Sequence, residues 1–466
     1  MDGVPPLPGD LRAMLESVRR AGGRPRLVGG CVRDWLLGLV PKDFDVEVAA
    51  TDFDGLRRAL GPFGATDVVG RSFGVVKVRG PGGSEYDFSL PRRESKTGAG
   101  HRGFAVEPDP GLGDAEAAGR RDFTVNAIAI DPFTGAVIDP FGGQADLRAR
   151  ILRHTGPAFS DDPLRVLRAF QLASRFDFTL EPGTAALCRE IAPAFSELPL
   201  ERVWGEWDKW AVESVRPSRG LAVLEETGWM RHFPELAALR GTPQEPDWHP
   251  EGDVMDHTAL CLDALVSLEG WASSQAGRRR LLSFAVLAHD FGKPSTTERA
   301  ERHGAMRWVS PGHESAGGPL ADSFLLRIGA PPDLAPPVRA LVVHHLVHHH
   351  GKDDFTDAQV RRLARRLSPA TIDDLAVVMA ADSRGRPPIA PQEVLAIIDR
   401  LRARASQLAL EAAAPRPIIL GRHLIAMGRR PGPEFRPILD AAFEAQLEGA
   451  FTDEASGLEW LKGRLK

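Results

Sequence analysis

Residues 27–48 read LVGGCVRDWLLGLVPKDFDVEV, and this run constrains the fold more than any other part of the 466-residue chain. The Val- and Leu-rich segments 26–32 and 43–49 predict two strands, with a short helix over Val32–Leu39 between them. An amphipathic helix, Leu11–Arg20, precedes them, and 73–79 and 85–90 also read as strands. A strand that runs into Gly29-Gly30 can bring its backbone close to a triphosphate, because neither residue carries a Cβ. The amides that open the following helix favour anions. Asp43 and Asp45 stand at i and i+2, which in a strand puts both on one side. Two carboxylates on one face can hold two Mg2+ ions, the arrangement for in-line phosphoryl or nucleotidyl displacement. Asp87, in the strand EYDFSL, is the third carboxylate candidate. Gly-Gly alone or Asp-x-Asp alone is a weak signal; both at this spacing, in strand context, are specific.

Further along, residues 92–119 are rich in Gly, Pro and charge and predict a long mobile loop. From about residue 160 the pattern turns helical. Asp162-Pro163 supplies an acidic N-cap and a Pro at the first helical position, and Leu164, Leu167, Phe170 and Leu172 follow at helical spacing. Residues 241–250 (GTPQEPDWHP) read as a linker, 255–400 as helical, and a Pro-containing break at 413–418 precedes the terminal helices. No internal repeat is present.

Composition narrows the function classes. With 58 basic and 63 acidic residues the net charge is −5, which argues against nucleic-acid binding by bulk charge and leaves room for a local basic groove. The three cysteines, Cys31, Cys188 and Cys261, lie far apart with no metal-ligand spacing. A disulfide framework or zinc ribbon is excluded, and a reducing cytosol fits. No apolar run reaches membrane-spanning length, and the N-terminus has no basic-then-apolar leader. Lysines are scarce, 8 against 50 arginines, and three of them (Lys42, Lys77 and Lys293) fall in or near the motifs.

Three downstream motifs sharpen the first. RRDFTVNAIAID (120–131), DPFGGQADL (139–147) and DDPLRVLRAFQLASRF (161–176) follow in order. Together with residues 27–48 they resemble the class II tRNA nucleotidyltransferases of the polymerase-β superfamily, the CCA-adding enzymes. The resemblance implies that Asp162 and Arg165 read the incoming base. The pair is three apart on a helix and shares a face. Asp only accepts hydrogen bonds and Arg only donates. Cytosine and adenine both offer an amino donor beside a ring-nitrogen acceptor, whereas uracil and guanine reverse that order. The same match implies that Arg121 and Asn126 contact triphosphate or ribose and that Asp122 orients its neighbours. Arg33 and Asp34 would support the triphosphate side, and Arg168 would face nucleotide or primer. The segment 92–119 corresponds to the flexible element used in switching from C to A. ERVWGEW (201–207) reads as part of a structural helical neck open to tRNA contact. GRSFGVVKV (70–78) departs from the more basic run usual in bacterial poly(A) polymerases.

Ten of the fourteen histidines fall between 249 and 350. The ordered set His257, His289-Asp290 and Asp382, with Lys293 in HDFGK, resembles the HD phosphohydrolase superfamily. Imidazole and carboxylate together suit Mn2+, Ni2+, Fe2+, Co2+ or Mg2+ more than a thiolate-type zinc site. Such a metal generates a hydroxide nucleophile and polarises a phosphoryl oxygen. Lys293 is the candidate phosphate contact, and His313, His344 and His345 are candidate ligands of a second metal. His348, His349 and His350 read as a solvated tract.

The expected architecture is therefore an α+β nucleotidyltransferase head with a polymerase-β-like mixed sheet (1–150) and a helical neck that reads bases and binds tRNA (151–243). An all-α HD metal-dependent phosphohydrolase domain (244–400) and a helical tail (401–466) would follow. The expected activity is template-independent addition of CCA to tRNA 3′ ends from CTP and ATP with release of pyrophosphate, Mg2+ serving the head. A phosphohydrolase or cyclic phosphodiesterase activity at the HD site would use a divalent transition metal such as Ni2+, Mn2+ or Co2+. The expected partners are tRNA, CTP and ATP, in the cytoplasm, with no membrane and no obligate protein partner. The rivals are A-only or CC-only addition, poly(A) synthesis, an antibiotic- or protein-modifying nucleotidyltransferase, and a phosphohydrolase whose head merely binds tRNA.

Overall fold

The computed structural model describes residues 3–41, 43–64, 66–67, 74–80, 83–96, 104–350, 355–388 and 392–465. They form two compact units, one of Met1–Trp210 with Arg219–His232, the other of Ala211–Ser218 with Phe233–Lys466.

The first unit is built on a seven-stranded sheet. Its strands lie in the order Thr66–Asp67, Val75–Arg79, Glu85–Ser89, Asp45–Ala49, Arg24–Val28, Ala129–Ile130 and Val137–Ile138. Only Asp45–Ala49 and Glu85–Ser89 pair in parallel, so the sheet is mixed, as expected. Strand Asp45–Ala49 is central, and all of its residues after Asp45 are buried, Glu47 included, because both its faces are covered. The helix Gly9–Arg20 buries Leu11, Met14, Leu15 and Val18, the i, i+3, i+4, i+7 stripe of an amphipathic helix. Gly30–Leu36 forms the short helix after the paired glycines.

Two expectations change here. The segment 92–119 is not a long loop. Arg92–Lys96 and Phe104–Pro108 pair as an antiparallel hairpin, and Asp114–Gly119 is helical. Pro110, Gly111 and Gly113 fall in the turn between Phe104–Pro108 and Asp114–Gly119; residues 97–103 and 70–73 lie outside the described residues. Beyond the sheet, helix Leu164–Phe176 packs on the neck through aromatic rings, with Phe170 4.5 Å from Trp207 and 5.6 Å from Trp210. Aromatic pairs of this kind add about 0.5–1.5 kcal/mol to the burial of their area.

The second unit is helical around a core that includes Leu262, Leu265, Phe284, Leu287, Phe324, Leu341, Leu375 and Met379. It is not all-α. Glu298–Arg302 and Ala305–Val309 form a hairpin, its turn at His303-Gly304, both at positive φ. Short alternating segments flanked by a glycine turn are hairpin-competent even inside a helical stretch. In the tail, Ile419, Leu424, Ala442, Phe451 and Leu461 make a separate small core. No helix among the described residues is long and apolar enough to cross a membrane.

Candidate functional sites

Strand register assembles the first site. Asp45 sits directly beside Asp87 on the neighbouring parallel strand, and Lys77 sits opposite Asp87 on the next. Three adjacent strands therefore present Asp45, Asp87 and Lys77 side by side. Lys77 Nζ lies 3.3 Å from the Asp87 carboxylate. Asp43 reaches the same place differently from expectation. The strand starts at Asp45, and Asp43 is exposed in the bend before it, so the i, i+2 strand argument holds for Asp45 alone. Gly29 has φ +76°, and a Cβ there would stand 3.3 Å from Asp45 Oδ2 and 3.4 Å from Arg121 Nη1. The bare backbone of Gly29, the Asp45 carboxylate and the Arg121 guanidinium thus converge.

The electrostatics suit a cation. Burial pushes the Asp45 carboxyl up; Arg121 opposes this, while the charges of Asp87 and Asp43 add to it. Crowded carboxylates of this kind are stabilised in their charged form by a divalent ion. Asp43, Asp45 and Asp87 could hold one.

Behind them lies a buried polar chain. Arg33 Nη1 donates to Asn126 Oδ1 (2.8 Å), and Asn126 Nδ2 donates to Asp122 Oδ1 (2.9 Å). Arg168 Nε donates to Asp122 Oδ2 (2.7 Å), and Arg33 also pairs with Asp34 at 2.6 Å. Burial pushes Asp122 up, but Arg168 and the Asn126 hydrogen bond outweigh it and bring it to about 2. Arg121 stands apart from this chain, with Nη2 3.5 Å from Glu47.

Asp162 and Arg165 flank the start of helix Leu164–Phe176. Asp162 Oδ1 accepts from the Leu164 amide at 3.2 Å, but the helix begins one residue later than expected, with Pro163 at its N-cap position. The two side chains are held by different partners. Arg165 donates to the carbonyls of Ala158 (2.8 Å) and Arg120 (2.5 Å). Asp162 accepts from both terminal nitrogens of Arg202, at 3.3 and 2.7 Å. Arg202 was expected to be part of the structural neck; its grip on Asp162 needed the fold to bring residues forty apart together.

The second site lies in the second unit. His257 comes from helix Val254–Ser267, His289-Asp290 from the end of helix Ala276–Ala288, and His313 opens helix His313–Arg327. His345 follows helix Ala335–His344, and Asp382 belongs to helix Ile372–Arg384. Four imidazoles share one arrangement. Nδ1 of His289, His313 and His345 each lies 2.7 Å from a backbone carbonyl three residues back, and His257 Nδ1 lies 2.8 Å from Glu251 Oε1. An imidazole that donates through Nδ1 keeps Nε2 as its ligand atom. These Nε2 atoms surround the carboxylates. His257 Nε2 is 3.1 Å from Asp382 Oδ1, His289 Nε2 is 3.2 Å from Asp290 Oδ2, and His313 Nε2 is 3.3 Å from Asp290 Oδ1. Burial, then the neighbouring His289 and His313, hold His345 down at about 3, so it stays neutral.

Asp290, Lys293, His313, His345 and Asp382 face a cavity of about 560 Å³, while His257 and His289 are fully buried. Lys293 Nζ lies 2.8 Å from both Asp290 Oδ2 and Gln244 Oε1. The residues fit divalent cations: the donor set is imidazole and carboxylate, and the buried His289 Nε2 makes no hydrogen bond.

Some expectations shift. His344 stays outside the cluster; burial and Arg366 hold it low. His348 is 2 % exposed, not solvated, and the side chains of His349 and His350 lie outside the described residues. The segment 241–250 is no spacer, since Gln244, Glu245, Trp248 and His249 line the cavity. Glu251 and Cys261 were missed. Cys261 joins His257, His289 and Asp382 with potential ligand atoms all within 4.8 Å, although no cysteine spacing in the chain signals it.

The sheet, its carboxylates and the helical remainder define a nucleotidyltransferase class, and the comparisons agree. Residues 25–153 match the Poly A polymerase head domain, and 177–239 match the probable RNA and SrmB-binding site of polymerase A. The multifunctional CCA protein of Xanthomonas campestris pv. campestris (strain B100) is 40 % identical over 374 residues, covering 77 % of this chain and 85 % of that protein. That of Cupriavidus metallidurans is 35 % identical over 402 residues, covering 83 % and 91 %. The chain belongs to the family of class II CCA-adding tRNA nucleotidyltransferases. Its fold is similar to that of the Bacillus stearothermophilus CCA-adding enzyme in complex with CTP, with a TM-score of 0.67 at 23 % identity and 98 % of each chain covered. It is also similar to the Thermotoga maritima CCA-adding enzyme complexed with tRNA, with a TM-score of 0.59 at 18 % identity and 99 % and 97 % covered.

Proposed function

We propose that this chain extends tRNA 3′ ends with C, C and A, taking CTP and then ATP and releasing pyrophosphate. The observation that carries this reading is the convergence of Asp45, Asp87, Gly29 and Arg121. In the reaction the terminal tRNA hydroxyl attacks the α-phosphate in line with the departing pyrophosphate. Asp43, Asp45 and Asp87 would hold Mg2+, which supplies charge neutralisation at the reacting phosphate. Gly29 lets the phosphates approach the backbone, and Arg121 offers them a guanidinium. The chain Arg33–Asn126–Asp122–Arg168 orients the ribose side. Asp162 accepts from the base amino group and Arg165 donates to the adjacent ring nitrogen. Both must release or share their present partners, Arg202 and two carbonyls, to do so. RNA contact would be mainly to backbone and shape.

The test is incorporation into synthetic tRNAs ending at the discriminator base, at C, and at CC, with CTP, ATP or both plus Mg2+. Growth to CCA on all three and then arrest is the expected result. CC alone or A alone would assign a split pathway, and a long A tail a poly(A) polymerase.

A second activity rests on the cavity in the other unit, which we read as an HD-type phosphohydrolase site. Asp290 turns Oδ2 toward His289 and Oδ1 toward His313, an arrangement that supports two metal positions sharing that carboxylate. A divalent ion such as Ni2+, Mn2+ or Co2+ supplies a hydroxide nucleophile when bound. Lys293 steadies a phosphoryl oxygen at the cavity wall. Phosphomonoesters and 2′,3′-cyclic phosphates at RNA ends are the substrate class. Asp290→Asn should abolish hydrolysis of 2′,3′-cyclic AMP and of p-nitrophenyl phosphate without changing CCA addition; hydrolysis that survives it would remove the reading.

A further inference from the structure

We infer that Cys261 is a thiolate ligand of the inner metal position in the second unit, beside His257, His289 and Asp382 and the shared carboxylate of Asp290. The inference deepens, and rests on, the phosphohydrolase reading of this cavity. Cys261 follows His257 by one helical turn on Val254–Ser267, so the two side chains share a face. Its Sγ lies 3.3 Å from His257 Nε2 and 3.7 Å from Nδ1, beside the ring, and a turn about its single χ angle would bring it onto an ion at Nε2, the atom that the Glu251 contact leaves available. The four potential ligand atoms lie within 4.8 Å of one another, and an ion with bonds of about 2.0–2.3 Å would draw the outermost of them inward.

A buried cysteine by itself is ordinary packing. Here a second observation points to an ion: His289 Nε2 is buried in the same cluster and makes no hydrogen bond, although Asp290 Oδ2 is 3.2 Å away. A buried ring nitrogen without a partner is costly unless something electrophilic faces it. Room for the sulfur is built into the neighbouring helix end. A Cβ on Gly385 would collide with Cys261 Sγ. The donor sets of the two positions differ. Asp290, His313 and His345, which face the cavity, offer only nitrogen and oxygen. The inner position adds sulfur. Coordination would expel the thiol proton and bias the inner position toward Co2+, Ni2+ or Zn2+ over Mg2+.

The experiment uses the full chain, stripped of metal by a chelator and titrated with Co2+ in the presence of excess Mg2+. The expected result is a sulfur-to-cobalt charge-transfer band in the near ultraviolet, saturating with the first equivalent. X-ray absorption should show one sulfur scatterer at about 2.3 Å. Cys261→Ser and, as a volume-conserving check, Cys261→Val should lose the band and bind Co2+ at least tenfold more weakly, with circular dichroism reporting whether each is folded. Cobalt bound only by nitrogen and oxygen, or a band that persists in both variants, overturns the inference. If that protein still hydrolyses 2′,3′-cyclic AMP, the phosphohydrolase reading stands without the sulfur ligand. Absence of any tight Co2+ site removes both. The absorption measurement on the unmodified chain decides the matter even if neither variant folds.

Discussion

Arg168 Nε donates to Asp122 Oδ2 at 2.7 Å, tying helix Leu164–Phe176 to the turn that carries Asn126. One end of this short chain of bonds meets the proposed base-reading helix. The other runs through Asn126 to Arg33, next to the paired glycines.

Stability of this joint should depend on acid. The folded Asp122 carboxyl is at about 2, below its unfolded value of about 3.9. Its contribution, of order 2 kcal/mol, is therefore present above about pH 4 and lost as pH falls toward 2. Hydrogen exchange of the Leu164–Phe176 amides should be faster in Asp122→Asn than in the unmodified chain near neutrality, and the gap should narrow below about pH 4 and close only below about pH 2. A gap independent of pH would mean that the ion pair does not hold the helix.

Asp43→Ala and Asp45→Ala should each reduce CCA addition by at least about a thousandfold, since loss of a metal-held reacting phosphate costs several kcal/mol of transition-state stabilisation. Hydrolysis of p-nitrophenyl phosphate by the second unit should be unchanged. If addition survives Asp43→Ala, the bend residue is not part of the metal site and Asp45 with Asp87 suffices.

Arg202→Ala removes both hydrogen bonds to the Asp162 carboxylate. We expect kcat/KM for CTP and ATP to fall about tenfold, the size of one lost charge-assisted bond. Misincorporation of UTP should rise, because a carboxylate that is no longer aimed discriminates less well. Unchanged selectivity would make the Arg202 pair a purely structural contact.

Glu251 is 1 % exposed at its side chain and receives both His249 and His257 on Oε1. Burial pushes its carboxyl up, but the two histidine hydrogen bonds win and bring it to about 2. As a positioning residue it would set the His257 tautomer. Glu251→Gln should weaken Ni2+ or Co2+ binding about 10- to 100-fold, measured by competition with a chromogenic chelator. With saturating metal, hydrolysis should be largely restored, which a globally unfolded variant would not allow.

Local pattern carried much of this protein. The strand, glycine pair, short helix and strand of 27–48 were legible because backbone period and missing side chains act within a few residues. The same holds for the helical stripe that follows Asp162-Pro163, and for the ordered motifs that mark the family. What local pattern could not supply is which side chains meet. The adjacency of Asp45 and Asp87 depends on parallel register between strands forty residues apart, and the hold of Arg202 on Asp162 depends on how two helices pack. The segment 92–119 reads as loop because glycine, proline and charge dominate its composition, while its short strands gain stability only by pairing. Segment 241–250 read as linker for the same reason, although its side chains close a cavity. Cys261 is signalled only by its place one helical turn after His257, and Glu251 by nothing in the local pattern. They enter the histidine-aspartate cluster because five helices converge there, and burial then leaves ring nitrogens and carboxylates no water to bond, only one another or an ion.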